Sequence, residues 1–348
     1  MKEHITIYDI AKEAGVSASS VSRVLSGHPN VSSALRAKVL EVTDRYHYLP
    51  SMMAQHLDQG KNNTIGIVMP TVNNPYYSAL FSAANEAAQE QGYSTWLHQL
   101  STGGSLIKQD LVDQLIHRRL AGVLLTGSFS DPEIPPLRKA VAMLQNYMPV
   151  VALCTPIADL GCLCFHNDLS SAIEQAVRHL YNLGHTRIAF LGGPALSPSS
   201  TLRGKSFLDS LALCGLDYPP DYFLGGGYDA NSGALAVLQM LSSLPAGRRP
   251  TALLCFNDLV AIGAIQQLHK AGLRLPDDMA VIGCDNIFFA AYTAPPLTTI
   301  DLYPEKTAQH AIQVLLRSDA SASPIAQVME ATLVVRESCG IHLGRRRF

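Results

Sequence analysis

Apolar residues at Ile7, Ile10, Ala11 and Ala14 recur at three- and four-residue intervals, the stripe of an amphipathic helix. Thr6-Ile7-Tyr8-Asp9 at its start has the form of a capping box. The Thr6 hydroxyl is placed to accept from the Asp9 amide, and the Asp9 carboxylate reaches back over the first turn. Ile5 and Ile10 stand at the staple positions around that cap, and Gly15 ends the helix. The device then repeats: Ser17 caps a second helix, Val16 and Val21 form its staple, and Val21, Val24 and Leu25 face inward. Two capped helices joined by a tight turn at Gly15 predict a helix-turn-helix. A third helix is predicted after Ser32, with Leu35, Val39, Val42 and Tyr46 on one face. Pro50 interrupts the helical pattern, and Ser51 caps a short segment ending near Gly60. A helix so short is marginal alone. The segment either forms against a partner copy or DNA, or is an ordinary linker.

From Thr64 the pattern changes to short apolar runs alternating with helical stretches. Ile65–Met69, Gly122–Leu125, Val150–Leu153, Arg187–Leu191, Ala252–Cys255 and Ala280–Gly283 read as buried parallel strands, with helices such as Leu80–Gln91 and Val260–Ala271 between them. This alternation predicts a doubly wound α/β architecture in two similar halves. Each strand exits into a polar or turn cluster: Thr71–Pro75, Thr126-Gly127-Ser128, His166-Asn167-Asp168, Gly192-Gly193-Pro194, Asn257-Asp258 and Asp285-Asn286. Ligands bind outside the carboxyl ends of such strands. Two halves facing each other there would make a hydrogen-bonding cleft, although turn geometry alone accounts for many of these residue types.

Composition adds bounds. A chain of 348 residues, 47% hydrophobic, is long enough for two or three domains. Its apolar runs break well short of a membrane span, and its first residues do not form a secretory signal. Seven scattered cysteines suit reduced thiols in a cytoplasm. A net charge of -2, with seven basic against six acidic residues in positions 1–61, does not by itself point to nucleic acid. That indication is local. Ala18, Ser19, Ser20, Ser22 and Arg23 give the second helix a small, polar outer face, as a recognition helix needs for close approach to base edges. Arg23 suits either guanine O6/N7 or a phosphate. An alternative is a three-helix bundle that docks a protein.

Candidate chemistry is otherwise sparse. No G-x-G-x-x-G, phosphate loop or nucleophile elbow follows a strand, so no cofactor and no catalytic residue is predicted. Cys162-x-Cys164 with His166 places three metal-ligating types on one strand face without a fourth nearby, and no metal is assigned. Asp258 and Asp285 read either as paired catalytic acids or as two ligand-binding carboxylates.

The segment Ile7-Tyr8-Asp9-Ile10-Ala11, Gly15-Val16-Ser17, Val21-Ser22-Arg23-Val24-Leu25, Val31-Ser32 and Tyr48-Leu49-Pro50 closely resembles the lactose/galactose repressor family, and the match continues along almost the whole chain. The resemblance implies a helix-turn-helix followed by a two-lobed, periplasmic-binding-protein-like α/β domain with doubly wound parallel sheets. It implies a homodimeric transcription repressor on a double-stranded, pseudo-palindromic DNA operator, with paired hinge helices in the minor groove. Ala18, Ser19 and Arg23 would read bases. Tyr8, Ser17, Ser20, Ser22, Asn30, Ser32 and Tyr48 would anchor phosphates, and Ala54 and Leu57 would serve the hinge, Leu57 as a wedge. Met52, Met53 and His56 depart from the polar or basic residues usual there.

For the large domain, the resemblance assigns effector contacts to Tyr76, Tyr77, Ser199, Arg203, Tyr228, Asn257 and Asp285. Arg203 and Asp285 suit vicinal hydroxyls, and a tyrosine face covers the apolar side of a sugar ring. A nucleobase-type corepressor uses the same groups. Cys154 and His166 stand where many relatives carry acids, which admits an anionic effector. The implied boundaries are residues 1–48 for the reading head, 49–62 for the hinge, 63–340 for the effector and dimerisation domain, and 341–348 for a basic tail. Within the large domain, one lobe takes about 63–165 with 303–328, and the other about 166–302 with 329–340. No leucine heptad is present near the C-terminus, so a dimer is expected rather than a tetramer. A transport solute-binding protein and an enzyme on a doubly wound sheet are the competing readings. The head argues against the first, and the lack of a catalytic constellation against the second.

Overall fold

The computed structural model describes residues 5–25, 28, 30–46, 62–100, 107–194, 197–317 and 326–341. The chain divides into two compact units, Met1–Asn62 and Asn63–Phe348.

In the first unit, α1 (Ile7–Glu13), α2 (Ala18–Leu25) and α3 (Ser33–Arg45) begin where their caps predict. The Thr6 amide donates to Asp9 Oδ2 at 2.8 Å and the Asp9 amide to Thr6 Oγ1 at 3.4 Å, closing the capping box. Ser17 Oγ accepts from the Ser20 amide at 3.2 Å, and Ser32 Oγ from the Leu35 amide at 3.3 Å. Gly15 has φ +60°, a left-handed conformation in which a side chain is strained, and it turns α1 into α2. Ile10, Ala11, Ala14, Val21, Val24, Val39 and Val42 make the core. Two expected apolar positions differ: Ile5, at a staple position, and Tyr46, on the apolar face of α3, are exposed. Tyr46 is the C-cap of α3, where the helix has run past the core. The hinge segment, with Tyr48, Ala54 and Leu57, and the arginines of the tail lie outside the described residues.

The second unit holds, among the described residues, two six-stranded sheets. The first is ordered β11-β5-β4-β3-β1-β2, from β1 (Thr64–Met69), β2 (Ser94–Gln99), β3 (Gly122–Gly127), β4 (Val150–Cys154), β5 (Leu163–Asn167) and β11 (Ala326–Met329). The second is ordered β12-β10-β9-β8-β6-β7, from β6 (Ile188–Leu191), β7 (Phe223–Leu224), β8 (Ala252–Cys255), β9 (Ala280–Asp285), β10 (Thr298–Asp301) and β12 (Thr332–Val334). The pairings are parallel except β10 with β12. The central strands are apolar on both faces because helices cover both. On the first sheet α4 (Pro75–Glu90) and α11 (Pro304–Leu315) pack on one face, while α5 (Gln109–His117) and α6 (Ile134–Gln145) pack on the other. On the second, α7 (Leu169–Asn182) and α8 (Pro198–Leu213) lie opposite α9 (Ala230–Ser243) and α10 (Asp258–Lys270).

The chain passes between the sheets after β5, after β10 and between β11 and β12. Asn167 and Met329 belong to the first sheet, past the expected lobe boundaries at 165 and 328. Asn167 ties these passages together: its Nδ2 donates to the Leu302 carbonyl at 2.8 Å and the Glu330 carbonyl at 3.3 Å. Among the described residues no helix is long and apolar enough to cross a membrane.

Candidate functional site

In the small unit, α2 turns its apolar side to the core and presents exposed Ser19 and Arg23 with half-buried Ala18, Ser20 and Ser22. Ser17 does more than start the helix. Its hydroxyl lies 2.9 Å from Ser19 Oγ and 2.8 Å from Ser20 Oγ, a short run of hydroxyls at the positive end of a helix. Arg23 lies along α2, its Nε donating to the Ser19 carbonyl at 3.4 Å. Tyr8 on α1 is 73% exposed, which a tyrosine in a small core would not be. Asn30 and Ser32 are exposed beside the start of α3. Small hydroxyls around one arginine on a projecting helix suit a groove lined with phosphates and base edges.

In the large unit a cavity of about 400 Å³ opens where the carboxyl ends of the two sheets' strands meet. Tyr76, Tyr77, Ser199, Arg203, Tyr228, Asn257 and Asp285 all line it. Tyr76 and Tyr77 come from the first turn of α4, which Asn74 caps by accepting from the Tyr76 amide at 3.0 Å. Their rings meet edge to face at 5.2 Å. Arg203 on α8 is buried, with its guanidinium 4.3 Å from the Phe256 ring centre and 3.9 Å from Asp285 Oδ1. Stacking on the ring fixes the guanidinium plane and leaves its edge to bond hydroxyls. Tyr228 also packs on Phe256, ring centres 5.2 Å apart with the planes tilted.

Asp285 ends β9 in the left-handed region at φ +111°, followed by Asn286 at φ +51°. That strained pair is pinned. The Asn286 amide donates to Thr299 Oγ1 at 3.3 Å and its Nδ2 to Asp301 Oδ2 at 2.8 Å, while Arg336 donates to Asn286 Oδ1 at 2.8 Å. Strain held this way aims a side chain at a site. Burial pushes the Asp285 carboxyl up to about 7, with the nearby Arg203 pulling it partly back.

Two sequence assignments change. Asp258 does not line the cavity; it is fully buried, accepting from the Thr299 hydroxyl and from the Ile287 amide at 2.8 Å. Burial holds it well above the ordinary carboxylate range, with Asp285 adding to the effect. It therefore braces the Asp285 turn and is not a second ligand carboxylate. Asn257 lines the cavity, but its Oδ1 accepts from the Val260 amide at 2.8 Å and its Nδ2 donates to the Tyr228 carbonyl at 2.9 Å. Its first task is to cap α10 and hold Tyr228. The Cys162–His166 run separates: Cys162 and Cys164 enter the first sheet's core, and His166 turns to the cavity. Thr126 and Ser128, from a strand-exit cluster expected to face the cleft, line the cavity, as do Phe256 and Thr307, which were not assigned to it. For Thr126, Ser128 and Phe256 the signal was their place at strand ends. Thr307 follows β10, whose polar sequence had not read as a strand.

The comparisons agree with this arrangement. The family model described as bacterial regulatory proteins, lacI family, matches residues 6–51, and that of the periplasmic binding protein-like domain matches residues 177–339. The PurR transcriptional repressor of Photobacterium profundum is 31% identical, over 96% of this chain and 98% of the relative. The ribose operon repressor of Escherichia coli is 31% identical over 95% and 98%, and the CytR transcriptional repressor of Escherichia coli is 29% identical over 96% of each. The Lac repressor dimer bound to operator and the anti-inducer ONPF superposes with a TM-score of 0.84, at 28% identity, over 97% of this chain and 99% of that one. By sequence along nearly its whole length and by fold, the chain belongs to the lacI family of bacterial regulatory proteins.

Proposed function

We propose that this chain is a dimeric, operator-binding transcriptional repressor whose DNA affinity falls when a small, uncharged polyol binds the cleft. The observation that carries this reading is the cavity at the carboxyl ends of both sheets, with buried Arg203 and Asp285 set against aromatic faces. A polyol presents hydroxyls that donate to the carboxylate and accept from the guanidinium, while its C–H face lies on a ring. Arg203 is the one lysine or arginine lining the cavity among the described residues, and its charge already faces Asp285. This favours a neutral ligand over the anionic one that Cys154 and His166 admit. The groups also accommodate a nucleobase edge, which remains the second reading.

A ligand that touches both walls binds best when the lobes are closed, so it shifts their equilibrium about the passages tied by Asn167. In a dimer this alters the spacing of two heads that must fit major grooves about 34–36 Å apart. The test is operator titration with and without ligand for the wild type and Arg203→Ala. The variant is expected to keep operator binding and lose the ligand response. A variant that responds like the wild type contradicts the reading.

A further inference from the structure

We propose that Cys154 and Cys164 form an oxidisable pair beside the cavity, which a two-electron oxidant of the peroxide class closes to a disulfide and a dithiol reopens. The site does not depend on which ligand the cleft takes.

Cys154 is the last residue of β4, and Cys164 lies in the neighbouring β5. The parallel register sets Ala152 against Cys164 and Leu153 against Phe165, and the pairing of these two strands ends there. Alternation puts Ala152, Cys154 and Cys164 on the face that packs against α5 and α6. The two sulfurs on that face lie 3.2 Å apart, and a disulfide is about 2.05 Å long, so they have about 1.2 Å to close. Cys154 can supply that movement. It keeps a strand partner only in β3, at Gly127, and the chain bends at Thr155 directly after it.

Of the seven cysteines, Cys154 is the one that lines the cavity, and it is 7% exposed. An oxidant as small as peroxide approaches the pair from that side. Among the described residues no other two thiols are in hydrogen-bond contact. Cys339 Sγ lies 3.2 Å from His179 Nε2, Cys284 Sγ lies 3.9 Å from the Arg203 guanidinium, and burial pushes the Cys162 thiol up to about 12.

The contact also readies the pair for reaction. The Cys164 thiol is held below its ordinary value, chiefly by the hydrogen bond from Cys154, while the same bond and burial hold Cys154 above its own. The pair therefore ionises as a unit, with the remaining proton between the two sulfurs. When that proton sits on Cys164, the Cys154 thiolate attacks one peroxide oxygen. The O–O bond breaks, the departing hydroxide takes the Cys164 proton and leaves as water, and Cys154 becomes a sulfenic acid. The Cys164 thiolate then attacks the Cys154 sulfur. The S–S bond forms, the S–O bond breaks, and the hydroxide takes up the proton first released, giving a second water. Two thiols have lost two electrons and one peroxide has become two waters. A dithiol reverses the bond by exchange and is itself oxidised. The closed pair draws the end of β4 toward β5, and with it the wall that Cys154, Thr155 and Pro156 give the cavity.

The test treats the reduced full-length protein with hydrogen peroxide and digests it without reductant at Asp159 and Leu163, which parts Cys154, Cys162 and Cys164. The Cys154 and Cys164 peptides are expected to stay joined, with two of the seven free thiols lost and both regained in dithiothreitol. Cys164→Ser is expected to leave a sulfenic acid on Cys154 that dimedone captures, and Cys154→Ser no such adduct on Cys164. Amide exchange at Thr155 and Ile157 is expected to slow at least tenfold in the joined form, and unchanged exchange overturns the effect on the wall. The wild-type digest needs no variant to fold. No joined peptide from the folded protein, joining only in urea, or a bond that Cys162 makes in preference overturns the site.

Discussion

At Asp285 a strained backbone position and a buried charge meet at the cavity wall. Its carboxyl, facing Arg203, Asp258, Cys284, Tyr76 and Tyr77, is held up to about 7, chiefly by burial. The folded state therefore keeps its proton more tightly than the unfolded chain. Its stabilising contribution is full below the ordinary carboxylate range and is lost as pH rises through about 7. Thermal melts between about pH 5 and pH 8 are expected to show a decline that Asp285→Asn, which stays neutral, flattens. Effector affinity has the opposite sign. Hydroxyls donate best to the ionised carboxylate, so calorimetry is expected to show tighter binding as pH rises through about 7, a dependence the same variant removes. On the small unit, Arg23→Ala is expected to weaken specific operator binding by about 1–3 kcal/mol in titrations at fixed salt. At this scale the caps of Thr6, Ser17 and Ser32 were legible because capping involves only neighbours in sequence. Asp285 stood at a strand exit and was legible as a candidate carboxylate, whereas Arg203 came from the resemblance alone. The place of Thr307 at the cavity was not legible, because it depends on where the chain runs after β10.

Among the elements, the strands read from sequence are the central ones, apolar on both faces. Half-exposed β2, two-residue β7, β11 and β12 were not read as strands, nor was β10, which is central and buried but polar over Thr298–Asp301, and β5 was read only from the alternation of Cys162, Cys164 and His166. Edge strands carry less of the pattern because only part of their surface is buried. The close crossing of α9 and α10 also leaves little trace in periodicity. A Cβ on Gly263 would lie 1.7 Å from the Ala230 carbonyl oxygen, and one on Gly233 2.0 Å from that of Val260. Backbone cannot yield as a side-chain tip does, so Gly263→Ala is expected to cost about 1–3 kcal/mol in urea unfolding. The passages between the sheets make a different prediction. Asn167→Ala leaves the Leu302 and Glu330 carbonyls without this donor, at a cost of about 1–3 kcal/mol, and loosens the lobes. Operator titrations are expected to show a smaller effector response for this variant with basal affinity retained.

For the whole molecule, composition said little and order along the chain said much. A net charge of -2 carries no sign of DNA, whereas a capped helix pair ahead of alternating strands and helices placed a reading head before a sensing domain. The proposed coupling of about 1–3 kcal/mol between cleft and head corresponds to an operator affinity change of roughly 5- to 150-fold. The most direct test is to select bound duplexes from random DNA with the full-length protein and titrate the winning sequence with and without the best-binding ligand of the cleft. Preference for one pseudo-palindromic sequence, steeply salt-dependent and weakened by ligand within that range, is the predicted result. Equal affinity for every duplex, unchanged by any cleft ligand, would contradict the account.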